Sequence, residues 1–150
     1  MSPMDGMTDT LARTGPPTTV TVGIGPLTAA DVVAVDRHDA TVVLDAEALA
    51  EIARTRAVIE ALADDVQPHY GVSTGFGALA TRHIPVESRA QLQRSLVRSH
   101  AAGSGPEVER EVVRALMLLR LSTVATGRTG VRPVVAQTYA AILNAGITPV

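Results

Sequence analysis

The sequence predicts a mainly α-helical protein with one small pair of β-strands near its N-terminus. Of the 150 residues, 46% are hydrophobic but only 2% are aromatic, so Ala, Val, Leu and Ile must fill the core. Small aliphatic side chains of this kind suit closely packed helices. Over most of the chain these residues recur at helical spacing between helix-start and helix-stop signals. Only two short segments show the β-branched character of a strand.

The two strands are predicted at residues 19–23 and 40–44, with a helix between them. Thr28 opens that helix, since an acidic residue, Asp31, follows three positions later. Residues 1–18 are predicted to form a disordered tail. They lack a basic start followed by an apolar run, so they do not form a secretory signal.

Four further helices follow in the predicted order. Asp45 begins a long one that stops at Asp64 and Asp65. A glycine-rich loop leads from there to residue 85, and a capping box at Ser88 starts the third helix, which Gly103 ends.

Pro106 is predicted to occupy the first turn of the fourth helix, which ends at residues 127–130. Its apolar positions are predicted from Val108, Val112, Ala115, Leu116 and Leu119. Pro133 then opens the fifth helix, and Asn144 and Gly146 end it.

The composition excludes several classes of chemistry. There is no cysteine, so thiolate nucleophiles, disulfides and cysteine zinc sites are excluded. All 13 basic residues are Arg, which excludes a P-loop lysine and a Schiff-base lysine within this chain. A net charge of −2 lacks the basic excess of a nucleic-acid-binding protein, and no stretch approaches the roughly 18 apolar residues of a membrane span. We therefore expect a cytoplasmic protein without nucleic-acid or membrane partners.

Tyr70 stands at the head of the glycine-rich loop, before Gly71, Gly75 and Gly77. The glycine spacing is not that of a dinucleotide-binding loop, and we predict no bound nucleotide. In a purely structural interpretation the glycines permit a tight turn and Tyr70 packs as a core ring. In a functional interpretation the ring is exposed, its hydroxyl faces a substrate, and the glycines let the backbone approach that ligand closely.

His100 lies four residues after Leu96 and eight after Leu92, on one helix stripe. A single histidine in such a stripe is more often a core residue than a catalytic one, so both interpretations stay open. His38, His69 and His83 show no metal-ligand spacing with it, and we predict no metal site. The arginines on the helices are expected to form solvated faces.

Four segments together resemble the aromatic amino-acid ammonia-lyase family. Their order and spacing agree over residues 20–150. They read Y-G-V-S-T-G-F-G (70–77), L-Q-R-S-L-V-R-S-H-A-A-G-S-G (92–105), T-G-R-T-G-V-R-P (126–133) and L-N-A-G-I-T-P (143–149). Within the family, the pair Ser99 and His100 is most similar to the bacterial histidine ammonia-lyases, because it suits a polar imidazole. Some tyrosine aminomutases also carry this pair.

The resemblance implies a reaction in which L-histidine becomes trans-urocanate and ammonia, the first step of histidine degradation. Tyr70 matches the tyrosine that removes the β-proton. His100 and Ser99 match positions that contact the substrate or assist Tyr70. The remaining matches form the loop that supports the tyrosine: Gly71, Thr74, Gly75, Phe76 and Gly77.

The electrophile implied by the resemblance is methylidene-imidazolone, which the family makes from its own Ala-Ser-Gly tripeptide. It makes the amino group a better leaving group, and the reaction needs no metal or nucleotide. This sequence contains no such tripeptide. Residues 19–150 are therefore expected to be the N-terminal head of the ammonia-lyase helical fold. The central helical bundle, which forms a homotetramer in the full-length family, is missing.

Three kinds of function remain open. The first is a histidine ammonia-lyase, with these residues inactive on their own. The second is another family member, such as an aromatic amino-acid aminomutase or lyase. The third is a non-catalytic binding module derived from the same fold. The partner in the enzymatic interpretations is a small amino acid, L-histidine above all.

Overall fold

The computed structural model describes residues 15–150, so most of the predicted tail, at residues 1–14, lies outside the described residues. The described part is mainly helical, which confirms the predicted fold class. Its elements in chain order are β1 (Thr19–Val22), α1 (Ala29–Asp36), β2 (Thr41–Leu44), α2 (Ala46–Ala63), α3 (Val86–His100), α4 (Arg110–Ala125) and α5 (Pro133–Asn144).

The two strands pair in parallel, with Thr19 opposite Thr41 and Val22 opposite Leu44. The strand pair is thus confirmed, and α1 forms the connection that a parallel pair requires. The predicted start of α1 is confirmed too. The amide of Asp31 donates to Thr28 Oγ1 at 3.2 Å, and the amide of Thr28 donates to Asp31 Oδ2 at 2.9 Å.

The outer edge of β2 is closed by a side chain from the last residue of α5. The amide of Val42 donates to Asn144 Oδ1 at 2.8 Å, and Asn144 Nδ2 donates back to the carbonyl of Val42 at 2.9 Å. A carboxamide thus takes the place of a neighbouring strand, which satisfies two backbone groups at the edge. Asn144 ends α5 as predicted and also binds the sheet.

The core lies between the strand pair and the helices α1, α2, α4 and α5. As the composition predicted, aliphatic residues fill it, and in residues 15–150 no aromatic ring is among its fully buried members. The face of α4 that enters it is not the stripe used to predict that helix, because Val112, Leu116 and Leu119 are exposed. The apolar residues that α4 buries are Met117, Leu118, Leu121, Val124 and Ala125.

The prediction that helical arginines form solvated faces is wrong for Arg114, which is 1% exposed. Its guanidinium donates to the carbonyl of Val35 at 2.9 and 3.2 Å and to that of Leu143 at 2.9 Å. Asp39 Oδ1 lies 3.1 Å from Nη2. Burial lowers the pKa of the Arg114 guanidinium, while the nearby Asp39 charge opposes that shift. Arg114 thus joins the ends of α1 and α5 inside the core.

Two helix starts were predicted wrongly. The third helix begins at Val86 after Pro85 rather than at Ser88, whose amide donates to the carbonyl of Pro85 at 2.9 Å inside the first turn. The fourth helix begins at Arg110. Gly105 has a φ of 95° and turns the chain, so Pro106 and the following residues stay outside the helix.

The turn between α4 and α5 packs closely on α2. A Cβ atom at Gly127 would lie 2.8 Å from Glu51 Cβ, and one at Gly130 would collide with the side chain of Ile59. Both glycines also have positive φ angles, 70° and 69°. Glycine is therefore required here for contact as well as conformation. Within the described residues, no helix is long and apolar enough to cross a membrane.

Candidate functional site

Residues 64–84, here called the tyrosine loop, connect α2 with α3 and begin the candidate site. Tyr70 lies at a tight turn in which the carbonyl of His69 accepts several hydrogen bonds. The donors are the amides of Val72 and Ser73, both at 3.0 Å, and the amide of Thr74 at 3.3 Å. This turn fixes the backbone on both sides of Tyr70.

Two buried hydroxyls hold the turn from inside. Ser73 is 0% exposed, and its Oγ accepts from the amide of His69 at 2.9 Å. Thr74 is 2% exposed; its Oγ1 accepts from the amide of Gly71 at 3.2 Å and donates to the carbonyl of Gly75 at 3.1 Å. Polar groups this deeply buried are retained when they are hydrogen-bonded, as both are here. The loop is thus an ordered structure, stabilised by its own Ser and Thr.

The glycines of the loop have separate roles. Gly71 has a φ of 69°, and a Cβ atom there would lie 3.0 Å from Phe76 Cε1. A Cβ atom at Gly75 would lie 2.6 Å from Leu79 Cβ, in the short 3-10 turn Gly77–Leu79. Gly77 has a φ of 56° but faces open space. The first two glycines allow close approach within the loop, and Gly71 and Gly77 supply left-handed backbone.

The Tyr70 side chain is 65% exposed, so the interpretation of Tyr70 as a core ring is wrong. Its only aromatic contact in the described part of the chain is with Phe76, edge to face, with centroids 6.0 Å apart and an interplanar angle of 87°. Phe76 is half-buried. One side of the phenol ring is therefore supported, and the ring remains open to a ligand.

His100 is exposed as well, which excludes the interpretation of a satisfied core histidine. It is the last residue of α3, and its Nδ1 lies 2.9 Å from the carbonyl oxygen of Leu96. Since a carbonyl only accepts, Nδ1 carries the hydrogen, and the neutral ring keeps its lone pair on Nε2. Ser99 Oγ donates to the same carbonyl at 2.8 Å and lies 3.0 Å from His100 Nδ1.

The structure does not join Tyr70 and His100 directly. No hydrogen bond or ion pair links them in residues 15–150. The helix α3 is 15 residues long, and it begins next to the tyrosine loop and ends at His100. That corresponds to a helix rise of about 22 Å. Within the part of the chain that the structure describes, α3 has no buried residue.

Among the other histidines, His69 contacts an acidic side chain. His69 Nε2 lies 2.8 Å from Asp65 Oδ2. A hydrogen bond from His69 is the main cause that holds the pKa of the Asp65 carboxyl below its ordinary value. Within residues 15–150 there is no group of three residues that could hold a metal ion.

Sequence reasoning missed Arg89, which it placed inside a capping box. The half-buried Arg89 side chain donates from Nε to the carbonyl of Ile84 at 3.1 Å and from Nη1 to that of Ala63 at 2.7 Å. These carbonyls belong to the end of the tyrosine loop and the end of α2. No local sequence signal identifies such a contact, because it depends on how α2 and α3 meet.

Comparison with known families gives a match to the aromatic amino acid lyase model over residues 27–150. Among curated proteins, histidine ammonia-lyase from Streptomyces griseus is 67% identical over 132 residues, which is 88% of this chain and 26% of that protein. Histidine ammonia-lyase from Treponema denticola is 44% identical over 130 residues, covering 87% of this chain and 26% of its own length. The chain thus spans about a quarter of the length of the curated relatives it matches.

Solved structures with the same fold include a tyrosine aminomutase from Streptomyces globisporus. It is 38% identical with a TM-score of 0.81, and the match covers 87% of this chain and 25% of that one. An ergothioneine-degrading ergothionase from Treponema denticola is 30% identical with a TM-score of 0.83, covering 87% and 26%.

Proposed function

This chain belongs to the aromatic amino acid lyase family, and from that premise we propose that it is the N-terminal part of a histidine ammonia-lyase. The reaction is the conversion of L-histidine to trans-urocanate and ammonia. The observation that carries the proposal is the 67% identity to a curated histidine ammonia-lyase. The exposed Tyr70 at an ordered turn is consistent with it.

We assign to Tyr70 the role of the base that removes the β-proton of the substrate. Its ring is exposed on the side that Phe76 does not cover, so its hydroxyl can reach a carbon-bound hydrogen. The hydrogen-bonded turn around His69 restricts the backbone that carries the ring. A base that is held in place before substrate binds loses less entropy when the reaction occurs. The loop residues Gly71, Thr74, Gly75, Phe76 and Gly77 serve this positioning.

We assign to His100 and Ser99 a role in substrate binding. The carbonyl of Leu96 fixes the His100 tautomer so that Nε2 is an acceptor. Such an acceptor suits the N–H group of an imidazole substrate or an ammonium group. Ser99 supports this arrangement, since its Oγ lies 3.0 Å from the protonated Nδ1 as a second acceptor while its hydroxyl donates to the carbonyl of Leu96.

The family's prosthetic group, methylidene-imidazolone, supplies an electrophile that makes the substrate amino group a better leaving group. Its precursor tripeptide Ala-Ser-Gly does not occur in the 150 residues. The exposed phenol of Tyr70 fits such a partner, because it is open to a substrate held beside that group. The tripeptide would lie in the part of the curated relatives' length that this chain does not cover.

We further propose that residues 19–150 fold as the head of the ammonia-lyase domain. The whole enzyme would be a cytoplasmic homotetramer, as the family resemblance implies. On this proposal the 150 residues do not catalyse the reaction by themselves.

The test uses the complete lyase, the same enzyme with Tyr70→Phe, and the 150-residue chain alone. Urocanate formation from L-histidine is followed by ultraviolet absorbance. We expect turnover by the complete lyase, and a loss of at least about 10³-fold in Tyr70→Phe because the base is removed. We expect no urocanate from the 150-residue chain. Near-normal turnover by Tyr70→Phe would refute the role of Tyr70 as the base.

A second candidate is an aminomutase, favoured by the 38% identity to a tyrosine aminomutase of the same fold. The two functions differ in their products. Incubation of the complete protein with L-tyrosine and, separately, L-histidine distinguishes them. A β-amino acid from tyrosine without urocanate from histidine would favour the aminomutase. Binding of an amino acid without any product would favour a non-catalytic module.

A further inference from the structure

The side chain of Arg89 joins two segments that are distant in sequence. Arg89 lies in the second turn of α3, and its guanidinium binds the carbonyl of Ile84 through Nε and the carbonyl of Ala63 through Nη1. Ala63 is the last residue of α2, so its carbonyl has no partner within that helix. Ile84 is the last residue of the tyrosine loop. One guanidinium thus holds both ends of this loop.

A series of hydrogen bonds leads from Arg89 towards Tyr70. Ile84, whose carbonyl accepts from Arg89, donates its amide to the carbonyl of Ser73 at 2.9 Å. Ser73 is fully buried, and its Oγ accepts from the amide of His69, the residue before Tyr70, at 2.9 Å. Displacement of Ile84 would therefore act directly on the turn that carries the phenol.

The other flank of the loop is also anchored. The contact between His69 Nε2 and Asp65 Oδ2, at 2.8 Å, ties the residue before Tyr70 back to the end of α2, whose last carbonyl accepts from Arg89. The loop is thus attached to α2 at one side and to α3 at the other. Arg89 is the side chain that connects these two helices across it.

We propose that Arg89 is a positioning residue for Tyr70: it joins the two ends of the tyrosine loop and so orders the turn that presents the phenol. The catalytic part of this inference rests on the proposed function of Tyr70, whereas the ordering of the loop does not. The planar guanidinium has several N–H donors at fixed angles, so it can bind two carbonyls that lie in different directions. A lysine ammonium is a single charged group on a flexible side chain and is less suited to hold both carbonyls at once.

The first experiment measures amide hydrogen exchange in the 150-residue chain. The variants are Arg89→Gln, Arg89→Lys and the matched control Arg94→Gln. Among residues 15–150, Arg94 binds only Gln91, in its own helix. In Arg89→Gln we expect the loop amides, such as those of Ser73 and Ile84, to exchange about tenfold faster. Arg89→Lys should be intermediate and Arg94→Gln unchanged.

Amides of α4 serve as an internal control in the same experiment, since they report global unfolding. Faster exchange confined to the tyrosine loop would support the proposal. Unchanged loop exchange in Arg89→Gln would overturn it. So would a uniform increase that includes α4, because Arg89 would then stabilise the whole fold rather than the loop.

The second experiment measures kinetics in the complete lyase. In Arg89→Gln we expect kcat to fall about tenfold to a hundredfold while KM changes by less than about twofold, as for a displaced catalytic group. Arg89→Lys should recover part of kcat. Faster loop exchange with unchanged kcat would overturn the positioning role alone. Normal turnover in Tyr70→Phe would instead overturn the proposed function, so the two failures are distinguishable.

Discussion

The ring of Phe76 stands at 87° to the ring of Tyr70, with 6.0 Å between their centroids. These are two of only three aromatic residues in the chain. Edge-to-face pairs contribute about 0.5–1.5 kcal/mol beyond the area they bury. Phe76 is therefore the residue that restrains the exposed phenol ring, while the glycine turn restrains its backbone.

Phe76→Leu is expected to lower kcat of the complete lyase about tenfold, because a leucine side chain does not restrict the Tyr70 ring as the edge-to-face contact with Phe76 does. Its free energy of unfolding should fall by no more than about 1.5 kcal/mol, since Phe76 is only half-buried. Steady-state kinetics and denaturant unfolding measure the two effects. An unchanged kcat would show that the ring contact does not position the phenol.

His100→Leu is expected to lower kcat/KM for L-histidine by about tenfold or more in the complete lyase, because it removes the Nε2 acceptor. Selectivity for histidine over phenylalanine and tyrosine should fall. His38→Leu is the matched control, since His38 is an exposed histidine just after α1. Unchanged selectivity in His100→Leu would exclude its role in substrate recognition.

Gly75→Ala is expected to destabilise the tyrosine loop, because the new Cβ atom would lie 2.6 Å from Leu79 Cβ and 3.2 Å from the Leu79 carbonyl oxygen. We expect a loss of about 1–3 kcal/mol in the free energy of local opening, measured by hydrogen exchange of the loop amides. Gly103→Ala is the control, as nothing lies within 4 Å of its added Cβ atom. Equal effects of the two substitutions would contradict this steric account.

Arg114→Met is expected to lower the free energy of unfolding of the 150-residue chain by about 3 kcal/mol, because the buried carbonyl of Val35 loses both guanidinium donors. The carbonyl of Leu143 loses the guanidinium but keeps the amide of Gly146. Arg120→Met on the exposed part of the same helix should change it by less than about 1 kcal/mol. Chemical denaturation measures both. Equal losses would mean that the buried hydrogen bonds contribute nothing specific.

Acid should weaken the fold in part through Asp39. The hydrogen bond from Arg110, at 2.7 Å, is the main cause that holds the pKa of the Asp39 carboxyl below its ordinary value of 3.8. A lowered folded-state pKa means that this stabilisation is fully present well above pH 3.8 and is lost as the pH falls through the folded value.

Asp39→Asn should therefore reduce the dependence of unfolding free energy on pH in this acidic range. Asn tolerates the positive φ of 53° at this position, so the backbone is preserved. Denaturant unfolding at a series of pH values measures the difference. An identical acid profile in both proteins would contradict the assignment to Asp39.

Local signals were sufficient for much of the helical framework. Thr28 with Asp31, Asp45, and Pro133 with Asn144 mark helix ends that the structure confirms, because capping depends on residues a few positions apart. The predicted starts of α3 and α4 were wrong because short-range signals can also mark a position that does not begin a helix. Ser88 and Pro106 both resemble residues that begin a helix. Ser88 instead lies inside the first turn of α3, and the turn at Gly105 keeps Pro106 outside α4.

The inward face of a helix could not be found from its own residues when apolar side chains occur on more than one side. α4 carries Leu116 and Leu119 on an exposed face and Leu118 and Leu121 on a buried one. Which face is buried depends on where α1 and α5 lie. The same dependence hid the role of Arg114, whose acceptors are 79 and 29 residues away in sequence.

By itself the sequence determined the mainly helical class, the strand pair, the family resemblance and the identity of the candidate groups, Tyr70, Ser99 and His100. These follow from residue types and short-range spacing, which the chain carries in any conformation. Only the tertiary structure decided that Tyr70 and His100 are exposed and that Arg89 closes the tyrosine loop. Exposure and long-range hydrogen bonds arise from the packing of distant segments, and no local pattern encodes that packing.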